Sequence, residues 1–332
     1  MALPTILVTR QLPLRILNQL TMHGHVVTWE KNRPVTREWL LDHISEAEAL
    51  YCLLTASIDR VVHIDVAECT NRGIPVGHTP GVLTETTADL TFGLLLAAAR
   101  RIEEGARYVR QGQWTTWNPD LLLGRDIYDS TLGIIGFGRI GQAVARRALG
   151  FSMKVLVAQV SRSQHTEGNS PAGQEANVTD SFHQWTWDES RETGEVTAVP
   201  FSDALSRSDF LTLHVPLTDD TRHMIGFKEL KTMKSTAILI NTARGGVVKT
   251  EALYRALKDG IIGGAALDVT DPEPLPASHP LLTLPNCLVI PHLGSASVAT
   301  RARMAIMAAE NVIAGLKGEH LPYCWNPQVY SV

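Results

Sequence analysis

The chain has 332 residues, of which 44% are hydrophobic and 19% are charged, and its formal net charge is −4. This composition is typical of a globular protein of about two domains. It gives no electrostatic basis for binding nucleic acid or an anionic membrane, and no apolar run is long enough to span a bilayer. The four scattered cysteines lack the spacing of a disulfide framework or a zinc site, and no leader pattern is apparent. We therefore expect no metal, reduced thiols and a cytoplasmic location.

Short β-rich runs alternate with helical patterns near the N-terminus. Strands are predicted within ILVTR, HVVTWE and ALYCLL, with helices near residues 14–22 and 37–47 between them. This alternation is typical of parallel α/β layers. Residues 88–110 predict one long helix at a domain boundary or an interface, apolar in its first half and charged beyond.

A glycine-rich turn follows the next β-rich run. The sequence TLGIIGFGRIG, residues 131–141, has the spacing G-x-G-x-x-G and continues with helical periodicity. The first glycine of such a turn permits a tight strand-to-helix connection, the second admits a pyrophosphate, and the third lets the helix lie close to its strand. The alternative is an ordinary tight turn. The motif predicts cofactor binding, with the anion at the helix N-terminus, by Gly136, Gly138, Arg139, Ile140 and Gly141.

Five further apolar runs predict buried parallel strands. They are KVLVA (154–158), DFLTLHVP (209–216), TAILINTA (236–243), GGAALDV (263–269) and CLVIPH (287–292), and a helix over 300–316 is predicted to pack onto the first half of the chain.

Three polar side chains follow the last three of these strands. They are Arg244, Glu273 and His292. Ligands bind at the carboxyl ends of parallel strands, so these residues predict a site with a cation for a carboxylate and an imidazole that transfers a proton beside a carboxylate. Taken singly, each has a structural alternative: a hydrogen-bonding histidine, a surface arginine or a solvated turn residue.

Residues 161–197 are polar and lack apolar periodicity. Such a long segment predicts a mobile surface insertion, with a lid as the alternative. It begins where the second strand of a dinucleotide fold usually leads to an acid that binds the ribose of NAD. Residues 159–163 contain no acid here, and Arg162, helped by Ser161 or Ser163, can accept a 2′-phosphate. The alternative is that Arg162 only begins the polar insertion. The sequence thus favours NADPH, with NADH as the alternative.

The motifs GFGRIG, HVPLTDDT, INTARGG, ALDVTDPEP and PHLGSAS together resemble the D-isomer-specific 2-hydroxyacid dehydrogenase family. Residues 78–90, 112–124 and 267–297 are most similar to its glyoxylate reductase/hydroxypyruvate reductase branch. The resemblance covers nearly the whole chain apart from the insertion. It implies an α/β fold in which a Rossmann cofactor domain, residues 80–292, is inserted in a flavodoxin-like substrate domain of residues 1–79 and 293–332. It also implies a homodimer formed through the cofactor domains.

The resemblance implies the NAD(P)H-dependent reduction of a small 2-oxo acid, glyoxylate or hydroxypyruvate, to the 2-hydroxy acid. Arg244 would hold the carboxylate and polarise the keto oxygen. His292 would protonate that oxygen as hydride arrives from the nicotinamide, and Glu273 would stabilise the imidazolium. Further cofactor contacts are implied for Asp268, at the carboxamide, and for the backbone at Pro216, Thr242 and Gly294.

The chain departs from this family after ALYCLL. Family members carry there a further helix, a strand and a V-G-x-D loop whose amides bind the substrate carboxylate. Here TASIDRVV leads directly to the helical pattern HIDVAECTNRG. We therefore expect a shortened substrate domain that lacks a strand and half of its carboxylate donors. The alternative function is a cofactor-binding or protein-interaction form without turnover.

Overall fold

The computed structural model describes residues 3–31, 33–53, 64–158 and 196–331. The chain divides into two compact units, one of Met1–Val82 with Ser297–Val332 and the other of Leu83–Ala296. Both divisions lie a few residues beyond the predicted boundaries. Leu293 and Gly294 belong to the second unit because their amides bind Asp268 of that unit.

Strands and helices alternate along most of the described chain, and none of these helices is long and apolar enough to cross a membrane. The strands are β1 (Thr5–Val8), β2 (His25–Thr28), β3 (Ala49–Tyr51), β4 (Thr131–Ile135), β5 (Lys154–Ala158), β6 (Val196–Ala198), β7 (Phe210–Leu213), β8 (Ile238–Asn241), β9 (Gly264–Leu267) and β10 (Cys287–Val289). The helices are α1 (Leu14–Thr21), α2 (Arg37–Ile44), α3 (Val66–Asn71), α4 (Thr84–Ala99), α5 (Ile102–Arg110), α6 (Arg139–Gly150), α7 (Phe201–Arg207), α8 (Phe227–Thr232), α9 (Thr250–Lys258) and α10 (Val298–Leu316).

The first unit contains a parallel sheet of three strands among its described residues. Their order is β2-β1-β3, as at the start of a flavodoxin-like sheet. Helix α10, from the other end of the chain, packs against α1 and β3. Its Ala309 and Ile313 share a buried core with Ile6 and Val8 of β1. The predictions of a C-terminal helix that packs onto the first half, and of a unit built from both chain ends, are confirmed.

A buried asparagine ties the C-terminal end into the same unit. Asn326 has no exposed surface, and its Oδ1 atom accepts a hydrogen bond of 2.7 Å from the amide of Val76. Its Nδ2 atom donates to the carbonyl of Ile74 and to the hydroxyl of Thr70. Because a buried amide without partners is costly, these bonds specify where the last residues of the chain lie.

The second unit contains a seven-stranded parallel sheet in the order β10-β9-β8-β7-β4-β5-β6. The order in which strands are added to the sheet reverses at β4. This strand pairs in parallel with β5 on one side and with β7 on the other. Alternate residues of the six strands other than β6 belong to two separate buried clusters, so both faces of the sheet are covered there. This is the Rossmann arrangement that the apolar strand sequences predict, and its ligand crevice lies outside the carboxyl ends of β4 and β7.

The prediction of one helix over residues 88–110 is wrong. Helix α4 starts earlier, at Thr84, and ends at Ala99, and α5 begins at Ile102. Between them Arg101 adopts a left-handed conformation with φ of +53°. The carbonyl of Ala99 accepts the amide of Arg125 from a distant loop. That tertiary bond replaces a helical one, which periodicity alone does not reveal.

The predicted polar insertion also extends too far. Val196 and Thr197, its last two residues, belong to β6, which pairs with β5 at the edge of the sheet. Residues of high β propensity next to an unpaired strand edge explain the pairing. The rest of the insertion lies outside the described residues.

Candidate active site

Most of the predicted site residues follow the carboxyl ends of strands in the second unit. Gly136 directly follows β4, and Thr242 directly follows β8. Arg244, Asp268 and His292 follow β8, β9 and β10 within a few residues. Because the strands are parallel, these ends share one edge of the sheet. In the described part of the chain, no three His, Cys, Asp or Glu side chains are grouped so that they could hold a metal ion.

The three glycines of the turn fit a dinucleotide. Gly136 has φ of +91°, and a Cβ atom there would lie 2.8 Å from the carbonyl carbon of His214, so the turn requires glycine. A Cβ atom on Gly138 would meet nothing within 4 Å, which leaves that side of the turn open to a ligand. A Cβ atom on Gly141 would overlap the carbonyl of Gly136, so α6 lies directly against the turn.

Helix α6 begins next to this open space. Its N-cap residue, Gly138, provides no side-chain cap, so the positive end of a 12-residue helix stays available for an anion. Arg139 is exposed at the first position. Ile140 is half-buried against the core, so its backbone rather than its side chain is available to an anion. Pro216 follows β7 and is exposed.

The loop after β8 holds Arg244 in a half-buried position. Asn241 fixes this loop, because its Nδ2 atom donates to the carbonyl of Arg244 at 2.9 Å and its Oδ1 atom accepts from the amide of Ala243 at 3.0 Å. One guanidinium nitrogen, Nη1, donates to the carbonyl of Ala243. No carboxylate among the described residues forms an ion pair with Arg244, so donors of the guanidinium remain available for a bound carboxylate.

His292 and Glu273 form a hydrogen-bonded pair. The Nδ1 atom of His292 lies 2.5 Å from Oε1 of Glu273, and the side chains are 33% and 38% exposed. The hydrogen bond to Glu273 raises the pKa of His292, against partial burial, which lowers it. Burial raises the pKa of Glu273, but the bond and charge of His292, with the Thr270 amide and Arg244, outweigh it and hold that pKa below its usual value. The pair therefore favours a charged imidazolium beside a carboxylate.

Asp268 holds the loop that carries His292. Its main-chain carbonyl accepts the amide of His292 at 2.9 Å. Its Oδ1 and Oδ2 atoms accept the next two amides, those of Leu293 and Gly294, at 2.5 and 2.8 Å. Burial raises the pKa of this carboxyl group, against these two amide bonds, which lower it. Three successive amides are thus bound by one residue, and this fixes the backbone on both sides of the His292 side chain.

This chain is similar in sequence to known proteins. The family model of the D-isomer specific 2-hydroxyacid dehydrogenase NAD binding domain matches residues 92–186 and 175–294. The glyoxylate reductase of Korarchaeum cryptofilum is 45% identical over 99% of this chain and 98% of its own. The chain belongs to the D-isomer-specific 2-hydroxyacid dehydrogenase family. The two matched stretches of the family's NAD-binding domain overlap inside the polar insertion, so the insertion interrupts that domain.

Two solved structures extend the likeness of this 2-hydroxyacid dehydrogenase to the fold. The TT0316 protein from Thermus thermophilus has a TM-score of 0.82 and 41% identity, over 97% of this chain and 99% of its own. An NADPH-dependent glyoxylate/hydroxypyruvate reductase from Sinorhizobium meliloti, solved with NADP and malonate, has a TM-score of 0.74 and 26% identity over 98% of both chains.

Two predicted features of this family member lie outside the described residues. Ser161, Arg162 and Ser163, the residues predicted to bind a 2′-phosphate, form one of them, and the junction at 54–63 is the other. The alignment with the Korarchaeum cryptofilum relative spans 348 positions, more than the 332 residues of this chain, so the relative has residues without a counterpart here.

Sequence reasoning missed three residues that hold the site together. They are Asn241, at the end of β8, and Thr87 and Thr91, on α4. Each binds backbone or hydroxyl groups of the strand-end loops. The one available signal was a pair of hydroxyl side chains one helical turn apart in a helix whose second half is apolar.

Proposed function

We propose that this chain reduces glyoxylate or hydroxypyruvate to glycolate or D-glycerate with NADPH. The observation that carries the proposal is the hydrogen-bonded pair of His292 and Glu273, on the same sheet edge as Arg244 and the glycine turn. The relative at 45% identity bears the name glyoxylate reductase, and the Sinorhizobium meliloti neighbour acts on glyoxylate and hydroxypyruvate by its name.

Arg244, His292 and Glu273 have separate roles in this reaction. The guanidinium of Arg244 binds the carboxylate of the 2-oxo acid and polarises the keto oxygen. Bound nicotinamide supplies the hydride. The Nδ1 atom of His292 is held by Glu273, so His292 donates its proton to the keto oxygen from Nε2. Glu273 stabilises the imidazolium of His292 before the proton is transferred. After transfer, the same carboxylate favours reprotonation of the neutral imidazole.

The choice of NADPH rests on the sequence after β5 and on one neighbour. Residues 159–163 contain no acid that would bind a ribose 2′-hydroxyl, and Arg162 with Ser161 and Ser163 suits a 2′-phosphate. The Sinorhizobium meliloti structure contains NADP. NADH is the competing cofactor in the test below.

We further propose that the second unit binds the cofactor and that the first unit is the substrate domain. We also propose that the protein is a homodimer. Apolar side chains are exposed along α5 and the segment after it in the second unit, which supports a partner surface there. They are Ile102, Val109, Trp114, Trp117, Leu123 and Tyr128.

The decisive experiment measures the oxidation of NADPH and of NADH by purified protein, first with glyoxylate and then with hydroxypyruvate. We expect turnover that is faster with NADPH and is abolished by His292→Ala. Binding of NADPH by both proteins, followed by its fluorescence, shows that the variant remains folded. Folded protein that binds NADPH without turnover would reject the reductase and leave a cofactor-binding form. That alternative is not favoured, since the proton-transfer pair is assembled.

A further inference from the structure

Helix α4 carries two buried hydroxyl groups on a face otherwise formed by apolar residues. Thr87 is 4% exposed and Thr91 is fully buried, and the buried residues around them include Ala88, Phe92 and Leu95. A threonine hydroxyl in such surroundings is costly unless it is hydrogen-bonded. The hydrogen-bond partners of these two hydroxyls therefore indicate their role.

The two hydroxyls connect α4 to the loops after β8 and β10. Thr87 Oγ1 donates to the carbonyl of Gly294 at 3.1 Å. Thr91 Oγ1 donates to the carbonyl of Thr87 at 2.8 Å and lies 2.9 Å from Oγ1 of Thr242. Because the single hydroxyl hydrogen of Thr91 is used on Thr87, Thr242 must be the donor in the second contact. This fixes the orientation of the Thr242 hydroxyl.

Both bonded residues are neighbours of the reacting groups. Gly294 is two residues after His292, and Thr242 is two residues before Arg244. The amide of Gly294 is bound by Asp268 and its carbonyl by Thr87, so this residue is held from both sides. A Cβ atom on Gly294 would lie 3.1 Å from Asp268 Oδ2 and 3.5 Å from Thr87 Oγ1, so there is little room for the loop to shift.

We propose that Thr87 and Thr91 are positioning residues, which set the loops of His292 and Arg244 against the nicotinamide end of the cofactor. The inference rests on the proposed function for its kinetic part. It concerns residues of α4 that bind neither substrate nor cofactor and act through Gly294 and Thr242. A displacement of about 1 Å at such loops is enough to slow hydride and proton transfer.

The test replaces each hydroxyl by a methyl group of similar size, in Thr87→Val and Thr91→Val, and restores it in Thr87→Ser and Thr91→Ser. The control is Ser208→Ala, which removes another fully buried hydroxyl of the same unit, bonded to Ala204 at the amino end of β7. For each protein we would measure the Kd of NADPH by fluorescence, kcat and KM with glyoxylate, the pH profile of kcat, and the thermal midpoint.

Both valine variants should weaken NADPH binding and lower kcat by about three- to tenfold, the loss expected for one buried hydrogen bond. Thr87→Val should also move the basic limb of the pH profile to lower pH, since it loosens the loop of His292, whereas Thr91→Val should not. The serine variants should recover both losses. Ser208→Ala should change the thermal midpoint alone.

The inference is overturned if the valine variants behave like Ser208→Ala, with a changed thermal midpoint but unchanged Kd and kcat, or if serine fails to restore them. Failure of the proposed function looks different. In that case the unsubstituted chain shows no turnover, and the Kd of NADPH in the valine and serine variants still decides the inference.

Discussion

His292 has φ of +52°, in the left-handed region that residues other than glycine rarely adopt. This backbone conformation costs on the order of 1–2 kcal/mol for such a residue. Asp268 compensates by binding the amides of His292, Leu293 and Gly294. The strain is thus held at the residue that we propose transfers the proton, and a change at Asp268 should release it.

Asp268→Asn replaces one carboxylate oxygen by an amide group that cannot accept an N–H. We expect the free energy of unfolding to fall by about 1–3 kcal/mol and kcat to fall by at least about tenfold. Urea unfolding and NADPH oxidation measure the two effects. Asp209→Asn is the matched control, because Asp209 also accepts a backbone amide, that of Thr131, but at the amino edge of the sheet. Equal effects of both changes on kcat would contradict a role of Asp268 in holding His292.

Glu273→Gln should change the pH dependence of both activity and stability. The raised pKa of His292 stabilises the fold below the usual pKa of histidine, and this contribution is lost as pH rises through the raised value. The lowered pKa of Glu273 stabilises the fold above the usual pKa of glutamate, and this contribution is lost as pH falls through the lowered value. The stabilisation by the pair is therefore greatest between these limits.

In Glu273→Gln the basic limb of kcat for glyoxylate reduction should move to lower pH, because the imidazolium loses its carboxylate. The difference in unfolding free energy from the unsubstituted protein should be largest near pH 6, between the ordinary pKa values of glutamate and histidine, and should shrink at alkaline pH. Glu103→Gln, which breaks an exposed ion pair with Arg107, serves as the control. An unchanged basic limb would show that Glu273 does not set the protonation of His292.

The residues found from sequence differ in kind from those that were missed. Arg244, Glu273 and His292 stand out because they are charged or titratable and follow apolar strands, and the family resemblance gives them roles, which stay predictions. Thr87, Thr91 and Asn241 act through bonds to main-chain or hydroxyl groups. Such bonds depend on the fold, so the spacing of Thr87 and Thr91 by one helical turn does not by itself show what they bind.

At the scale of elements, the strands of the second unit were the easiest to predict. Each buried parallel strand is a short apolar run because both of its faces are covered, and β5 has the predicted limits. Element ends were harder. The break between α4 and α5 depends on a hydrogen bond from Arg125, and β6 depends on the free edge of β5. Both are tertiary causes, which local propensity does not contain.

Adding the family segment that this sequence is predicted to lack should improve substrate binding. If residues 54–63 are replaced by the corresponding segment of the Korarchaeum cryptofilum relative, we expect KM for glyoxylate to fall by about tenfold or more, since backbone amide donors to a carboxylate are regained. The Kd of NADPH should not change, because the cofactor residues lie in the second unit. Steady-state kinetics and cofactor fluorescence provide the two readouts. An unchanged KM would mean that Arg244 alone sufficiently anchors the substrate.

At the scale of the whole molecule, exposed apolar side chains are the strongest indication of a second copy. Trp117 is 77% exposed and Tyr128 is 74% exposed, on a segment of the cofactor-binding unit. Single apolar residues at a surface need no partner, but a series of large ones along one segment is typical of an interface. The homodimer and the cytoplasmic location stay predictions.

Trp117→Asp should convert a dimer into monomers, as measured by light scattering during gel filtration. The side chain is too exposed to contribute much to the fold of one chain, so the thermal midpoint of isolated monomers should be nearly unchanged. Val298→Asp is a control in the first unit, where an even more exposed apolar residue is replaced at the start of α10. A monomeric unsubstituted chain, or a variant that stays dimeric, would reject this segment as the interface.

The first unit needs α10 to complete its core and the buried Asn326 to complete its hydrogen bonds. The second unit, by contrast, is one continuous stretch, Leu83–Ala296. During synthesis on the ribosome, every residue of the second unit is therefore available before the first unit can complete its core. Domains assemble as units while the chain grows. We therefore expect the apolar faces of β1, β2 and β3 to stay uncovered until α10 and Asn326 have been synthesised. We expect the first unit, whose strands precede the second unit along the chain, to complete its core after the second unit.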